Sequence, residues 1–343
     1  MSEQRKIMLI YTGGTIGMVK DFSTGTLKTF DFDKLVEHIP ELHHLGCSID
    51  SISFKQPIDS SNMNTDHWIS IASSIEKHYT DYDGFVILHG SDTMSYTASA
   101  MSFLLENLKK PVIFTGSQLP IGDLRTDAKE NLITSVQLAA LQKNGEPLIR
   151  EVGLYFEYKL YRANRTTKVN AEHFEAFSSM NYPALAESGV HLKVYEEYLL
   201  PSSKDVFSVH KSMDRHVAIL KIFPGMHPSV VNGILELPDL KGIILETFGA
   251  GNAPTEAWLL EALQGAVNRG IHIVNVTQCS GGRVLMGRYE TSDALLKIPL
   301  IDGRDITTEA AITKLMYLLG KDVAMSSFKS KFETSIRGEM ALI

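Results

Sequence analysis

Apolar residues gather in short unbroken runs along this chain, each closed by glycine or polar turn residues and most followed by apolar positions at helical spacing. Lys6–Tyr11 is the first run, closed by Gly13 and Gly14. Phe85–Leu88 follows Asp83-Gly84 and ends at His89-Gly90. Behind it, over Ser91–Lys109, Met94, Ala98, Met101, Leu105 and Leu108 recur at the spacing of one helix face. Val112–Phe114 predicts another buried strand ending at Thr115-Gly116, Asp127–Gln142 a helix and Val152–Phe156 a strand. Strands that are apolar on both faces and alternate with helices predict parallel sheets covered on each side, so the expected fold class is α/β.

The alternation lapses after about residue 190, where Val194–Met213 is mixed, polar and interrupted by Pro201-Ser202-Ser203. It resumes with His216–Ile222, Gly242–Phe248, a helix over Thr255–Asn268 stopped by Gly270, and Ile271–Thr277. The expected organisation is therefore two α/β domains with mainly parallel sheets. A larger N-terminal catalytic domain spans residues 1–193, a linker 194–213, and a smaller C-terminal domain 214–343. A length of 343 residues fits two domains at roughly 100–200 residues each.

Composition then removes several function classes. A hydrophobic content of 44% with 21% charged residues is ordinary for a globular protein. The net charge of −7, with no run of five or more Lys or Arg, offers no field for nucleic acid or an anionic membrane. Cys47 and Cys279 are too few for a disulfide framework, and a reducing compartment fits. The first apolar run is too short for a signal peptide, and no apolar stretch approaches the about 18–20 residues of a membrane span. A cytoplasmic location is the expectation.

Open parallel sheets build their sites at strand carboxyl ends, so the residues there are the candidates. After the first strand, Thr12-Gly13-Gly14-Thr15-Ile16-Gly17 permits a sharp exit and leaves Thr15 at the sheet edge; from this segment alone a plain glycine turn with two capping hydroxyls is the better reading. Neither a P-loop nor a dinucleotide fingerprint is present. After the second apolar strand, Ser91 and Asp92 stand where they could cap a helix or hold an amino-acid ammonium. Asp59-Ser60-Ser61-Asn62 is a polar turn before the Trp68 helix, or a carboxylate cradle. A threonine hydroxyl needs a base to become a nucleophile, and Lys168, within Arg165-Thr166-Thr167-Lys168, is the candidate, against the alternative of a solvated surface lysine. The twelve histidines are dispersed and no paired Cys or H-E-x-x-H motif occurs, so no metal is expected.

Taken together, Tyr11-Thr12-Gly13-Gly14-Thr15-Ile16-Gly17 and His89-Gly90-Ser91-Asp92-Thr93-Met94 resemble the two signatures of bacterial-type L-asparaginases, closest to the cytoplasmic type I branch. Thr115-Gly116-Ser117-Gln118-Leu119-Pro120, Leu160–Lys168 and Phe248–Pro254 extend the resemblance over essentially the whole chain. The resemblance implies two α/β domains, a homodimer or homotetramer, and cofactor-free hydrolysis of L-asparagine to L-aspartate and ammonia. It gives Thr15 the role of acyl-forming nucleophile, and Ser91, Asp92 and Lys168 a hydroxyl–acid–lysine relay. It gives Asp59, Ser60 and Ser61 the substrate's α-carboxylate, with Asp92 also meeting the ammonium, and Tyr289 a place in a neighbouring subunit's site.

Three departures stand out. Serine occupies position 91 where the resemblance leads to threonine, and loses a methyl that restricts the rotamer. Thr26 stands where many relatives carry a flexible-loop tyrosine. Glu246 replaces an arginine that helps form a second, activating asparagine site in some type I enzymes, although Thr277 and Cys279 match other parts of it; a vestigial effector site is the expectation. Two other readings carry the same motifs. A tRNA-dependent amidotransferase subunit would be expected to have an additional N-terminal domain ahead of the first catalytic strand. A non-catalytic amino-acid-binding protein would have no need of every polar group in the relay.

Overall fold

A computed structural model describes residues 4–20, 27–29, 39–286 and 295–342. It divides into two compact units, Met1–Lys211 and Ser212–Ile343. In the first, β1 (Arg5–Tyr11), β2 (Cys47–Ser53), α1 (Thr65–His78), β3 (Gly84–Leu88), α2 (Met94–Leu104), β4 (Val112–Thr115), α3 (Ala128–Ala140) and β5 (Val152–Phe156) give the expected alternation. The short strands β6 (Lys159–Arg162), β7 (Thr167–Lys168), β8 (Phe177–Ser178), β9 (Ala186–Glu187) and β10 (Lys193–Val194) follow.

Among the described residues the main sheet is eight-stranded, ordered β10-β9-β6-β5-β4-β3-β1-β2. β2, β1, β3, β4 and β5 run parallel, whereas β6, β9 and β10 extend the sheet antiparallel. β3 and β5 are buried at every residue because helices cover both sheet faces. Leu9, Val86, Leu88, Ile113, Leu132, Val136 and Tyr155 share the core. The mixed stretch after residue 193 folds back onto this unit. Val194 pairs with Ala186, and Ser208–Val209 pairs with Leu105–Glu106.

The second unit holds β11 (Val217–Lys221), α4 (Pro228–Leu235), β12 (Gly242–Thr247), α5 (Ala257–Asn268), β13 (His272–Thr277), β14 (Ile301–Asp302), α6 (Thr308–Gly320) and α7 (Met325–Glu333). Among the described residues its sheet is four-stranded and parallel, in the order β11-β12-β13-β14. Ile243, Leu245, Leu259, Leu263 and Ile273 form its core. No helix of the described residues is long and apolar enough to cross a membrane.

Candidate active site

Three loops meet at the carboxyl ends of β1 and β3, and they meet backbone to backbone. Thr12, buried, donates its N–H and its hydroxyl to the Leu88 carbonyl at 3.0 and 2.9 Å. Its own carbonyl accepts Ile58 N–H at 2.7 Å, which ties the 58–62 loop to the same point. Gly14 has φ +93°, and a Cβ there would lie 2.5 Å from Gly90 N. A Cβ on Gly90 would in turn lie 2.6 Å from Ser60 Oγ. Only glycine allows this approach, and it sets Thr15, the next residue, beside the loop that carries Ser91. Thr15 opens a single 3₁₀ turn, Thr15–Gly17, and is half-buried.

The Asp59 loop forms a 3₁₀ turn over Ser60–Asn62, with the Asp59 carboxylate accepting Ser61 N–H and Ser61 Oγ–H, both at 2.9 Å. Those two bonds, the backbone one foremost, hold the Asp59 carboxyl below its usual range and keep it ionised. The loop is not needed to start α1, because Asn64 caps that helix through Asp66 N–H and His67 N–H. Thr93 Oγ1 donates to the Ser60 carbonyl at 2.7 Å and joins this loop to the next.

Ser91 and Asp92 lie on a 3₁₀ turn, Ser91–Thr93, that leads into α2. Their side chains turn to Lys168, which donates to Ser91 Oγ at 2.9 Å and to Asp92 Oδ1 at 2.7 Å. Lys168 reaches them from β7, whose partner is β8. The preceding turn is locked to α2 by the Ser95–Thr166 hydroxyl contact at 3.0 Å. The lysine side chain is 17% exposed and that of Asp92 67%, so the pair presents its acid outward. His89, wholly buried, shares a 2.7 Å bond between Nδ1 and the Gly90 carbonyl; burial pushes its pKa down to about 4, so the ring is neutral and Nδ1–H is the donor.

The structure therefore brings Lys168 into hydrogen-bond contact with Ser91 and Asp92, and backbone packing draws Thr15 and Ser60 to the same strand ends. Tyr289 and Thr26 fall outside the described residues. One participant was missed by sequence reasoning. Gln118, on the loop after β4, accepts Ser91 Oγ–H at 3.2 Å. The Thr115–Pro120 motif carried it, but no spacing rule points a loop glutamine at a serine 27 positions away.

The expected effector residues belong to the second unit. Glu246, near the end of β12, is buried; Thr308 Oγ1 donates to its Oε1 at 2.6 Å and Lys221 Nζ sits 3.3 Å from its Oε2. Gln278 Nε2 donates to the carbonyls of Glu246 and Ile222 at 2.8 and 2.6 Å. Thr277 Oγ1 accepts Cys279 N–H at 3.1 Å, and Cys279 is exposed.

A lysine bonded to a serine hydroxyl and an acid at parallel-strand ends is the kind of site an α/β protein offers a small polar compound. The chain belongs to the asparaginase family: residues 6–199 match the Asparaginase, N-terminal domain and residues 216–332 the Glutaminase/Asparaginase C-terminal domain. It is 42% identical to L-asparaginase 1 of Escherichia coli K12 over 339 residues, 98% of each chain. It is also 40% identical to a 60 kDa lysophospholipase of Mus musculus, over 100% of this chain and 64% of that one. Its fold matches the crystal structure of L-asparaginase I from Vibrio cholerae with a TM-score of 0.90 and 40% identity, covering 99% of this chain and 100% of the other.

Proposed function

We propose that the protein hydrolyses L-asparagine to L-aspartate and ammonia through a covalent intermediate on Thr15. The observation that carries the reading is the Lys168 ammonium bonded at once to Ser91 and Asp92, on a loop that Gly14 and Gly90 hold against the Thr15 turn. The Thr15 oxygen attacks the side-chain amide carbon when Lys168 is in its neutral amine form: the Thr15 proton passes to Ser91 as the Ser91 proton passes to Lys168, which returns it to the departing nitrogen. The tetrahedral intermediate collapses, the C–N bond breaks, and the nitrogen leaves as ammonia after taking a proton. Water then attacks the ester, the bond to Thr15 breaks, and the hydroxyl is restored.

The substrate's ammonium is assigned to the outward-facing Asp92 carboxylate. Its α-carboxylate is assigned to the Ser60–Ser61 turn, where the Ser61 hydroxyl turns from Asp59 to the ligand on binding. Asp59 contributes by shaping that turn, since an anion already engaged by Ser61 cannot itself receive a carboxylate. We expect a cytoplasmic homodimer or homotetramer in which Tyr289 serves a neighbouring site. The direct test is ammonia release from asparagine and from glutamine by the purified protein and by Thr15→Ala. The variant should keep its melting temperature and lose kcat by about three orders of magnitude or more, as acyl transfer does without its nucleophile. Near-normal turnover would remove Thr15 from the mechanism.

A further inference from the structure

Gln118 is held at both ends. Its backbone N–H donates to the two carboxylate oxygens of Asp127 at 3.1 and 2.9 Å, and Leu119 N–H donates to Oδ1 at 3.1 Å. Asp127 is itself buried, and Asn131 Nδ2 bonds both to it at 3.3 Å and to the Gly116 carbonyl at 3.0 Å. The main chain on each side of Gln118 is thereby fixed. At the far end of the side chain, Nε2 donates to the carbonyls of His173 and Ala171 at 3.0 and 3.3 Å. Carbonyls only accept, so the nitrogen belongs on that side and Oε1 faces Ser91.

We propose that Gln118 is a positioning residue for the proton relay, fixing the rotamer of Ser91. An amide oxygen also only accepts, so Ser91 must donate to it. Before substrate binds, one Ser91 lone pair takes a Lys168 N–H and the bond to Gln118 holds the Ser91 oxygen in one rotamer. In the step itself Ser91 turns its proton to the neutral amine form of Lys168 and takes the Thr15 proton in its place. Serine needs this restraint: it has one heavy atom on Cβ and three staggered wells open to it, whereas a β-branched threonine is confined by its own methyl. The hydrogen bond from Ser91 to Gln118 does here what a methyl group does in threonine.

The inference rests on the relay proposed above, and a double-mutant cycle separates the two. In the parent chain Gln118→Leu should lower kcat about five- to tenfold, the size of one neutral hydrogen bond at 1.4 kcal/mol per tenfold, with KM within about threefold. In a Ser91→Thr background the same substitution should cost less than about twofold relative to Ser91→Thr alone. Melting temperatures accompany each variant, and Gln118→Met, unbranched and of similar length, supplies the same ratios where leucine prevents folding. An equal loss in both backgrounds, or none in the parent, overturns the role of Gln118. Lys168→Met in the same assay reads the relay alone. If that variant keeps its kcat, the relay itself fails; if it loses kcat while Gln118→Leu does not, only the positioning role falls.

Discussion

Each unit places a lysine–carboxylate pair near its parallel-strand ends, and the two pairs face opposite ways. In the first unit the Lys168 side chain is 17% exposed and its partner Asp92 67%. In the second Lys221 is 63% exposed and Glu246 11%. The first arrangement half-buries the cation against the Ser91 hydroxyl and turns an anion toward solvent, where the proposed function needs it for a ligand's ammonium. The second buries the anion, closes it with Thr308, and leaves the cation in water. The lesson is that a strand end becomes a site when its polar groups are left partly open to a ligand. Where the chain satisfies them internally, the same geometry serves stability alone.

The sharpest way to break this contrast is to remove each lysine in turn. Lys168→Met should lower kcat by two to three orders of magnitude, within the usual ~10²–10⁴ range for general acid–base groups, and leave KM within a few-fold. Lys221→Met should change kcat by less than about twofold, because an exposed pair is worth only ~0–1 kcal/mol and lies outside the relay. A Lys168 variant with raised KM and intact kcat would make that lysine a binding residue and dissolve the distinction.

A smaller effect tests whether the units share one response to acid. Each has a histidine whose pKa burial pushes down to about 4: His89 behind the relay loop, and His272 stacked on Phe328 at 3.6 Å. Unfolded, both titrate near 6.5. Between about pH 6.5 and 4 the unfolded chain therefore binds protons that the folded one does not, so stability falls as the pH falls through that window. Melting temperature measured across it should decline, and His272→Gln should flatten the slope. A melting temperature independent of pH over that range would contradict the burial of both rings. Smallest of all is the expected consequence of Glu246. With Thr308 and Lys221 bonded to it, the position offers a carboxylate-bearing effector no bidentate donor. Rate should rise hyperbolically with asparagine concentration, with a Hill coefficient near one; a clearly sigmoidal curve would point to an effector pocket elsewhere.

Much of this was legible in the sequence, for physical reasons. β3 and β5 are apolar at each turn of the pleat because both their faces are covered, and such runs stand out in any chain. β2 did not stand out: Cys-Ser-Ile-Asp-Ser-Ile-Ser is an edge strand, half-wet, whose place is fixed by its register with β1 rather than by its own pattern. The antiparallel extension through β6, β9 and β10 is made of pairings only two to four residues long, and Val194–Met213 reads as linker because its own pairing, Ser208–Val209 with Leu105–Glu106, is equally short and far off in sequence. Thr15, Ser91 and Asp92 stand out as candidates because glycine turns and strand ends mark them, and Lys168 only through the motif that surrounds it. Gln118 acts through a single long-range hydrogen bond, which leaves no periodicity to read.

The contact of Gly14 with Gly90 carries a consequence for how this enzyme can vary. Because the Thr15 turn and the Ser91 turn touch through their backbones, no side-chain exchange can widen or narrow the gap between them. A library randomised at these glycines should return almost nothing but the parent residue, whereas Gly233, with no atom within 4 Å of a built Cβ, meets no such collision. Sequence drift and deliberate engineering alike are thereby steered outward, to positions such as Asp59, Ser91 and Gln118. There a changed side chain alters the polar groups that face a ligand, while the backbone spacing of the two turns is inherited unchanged.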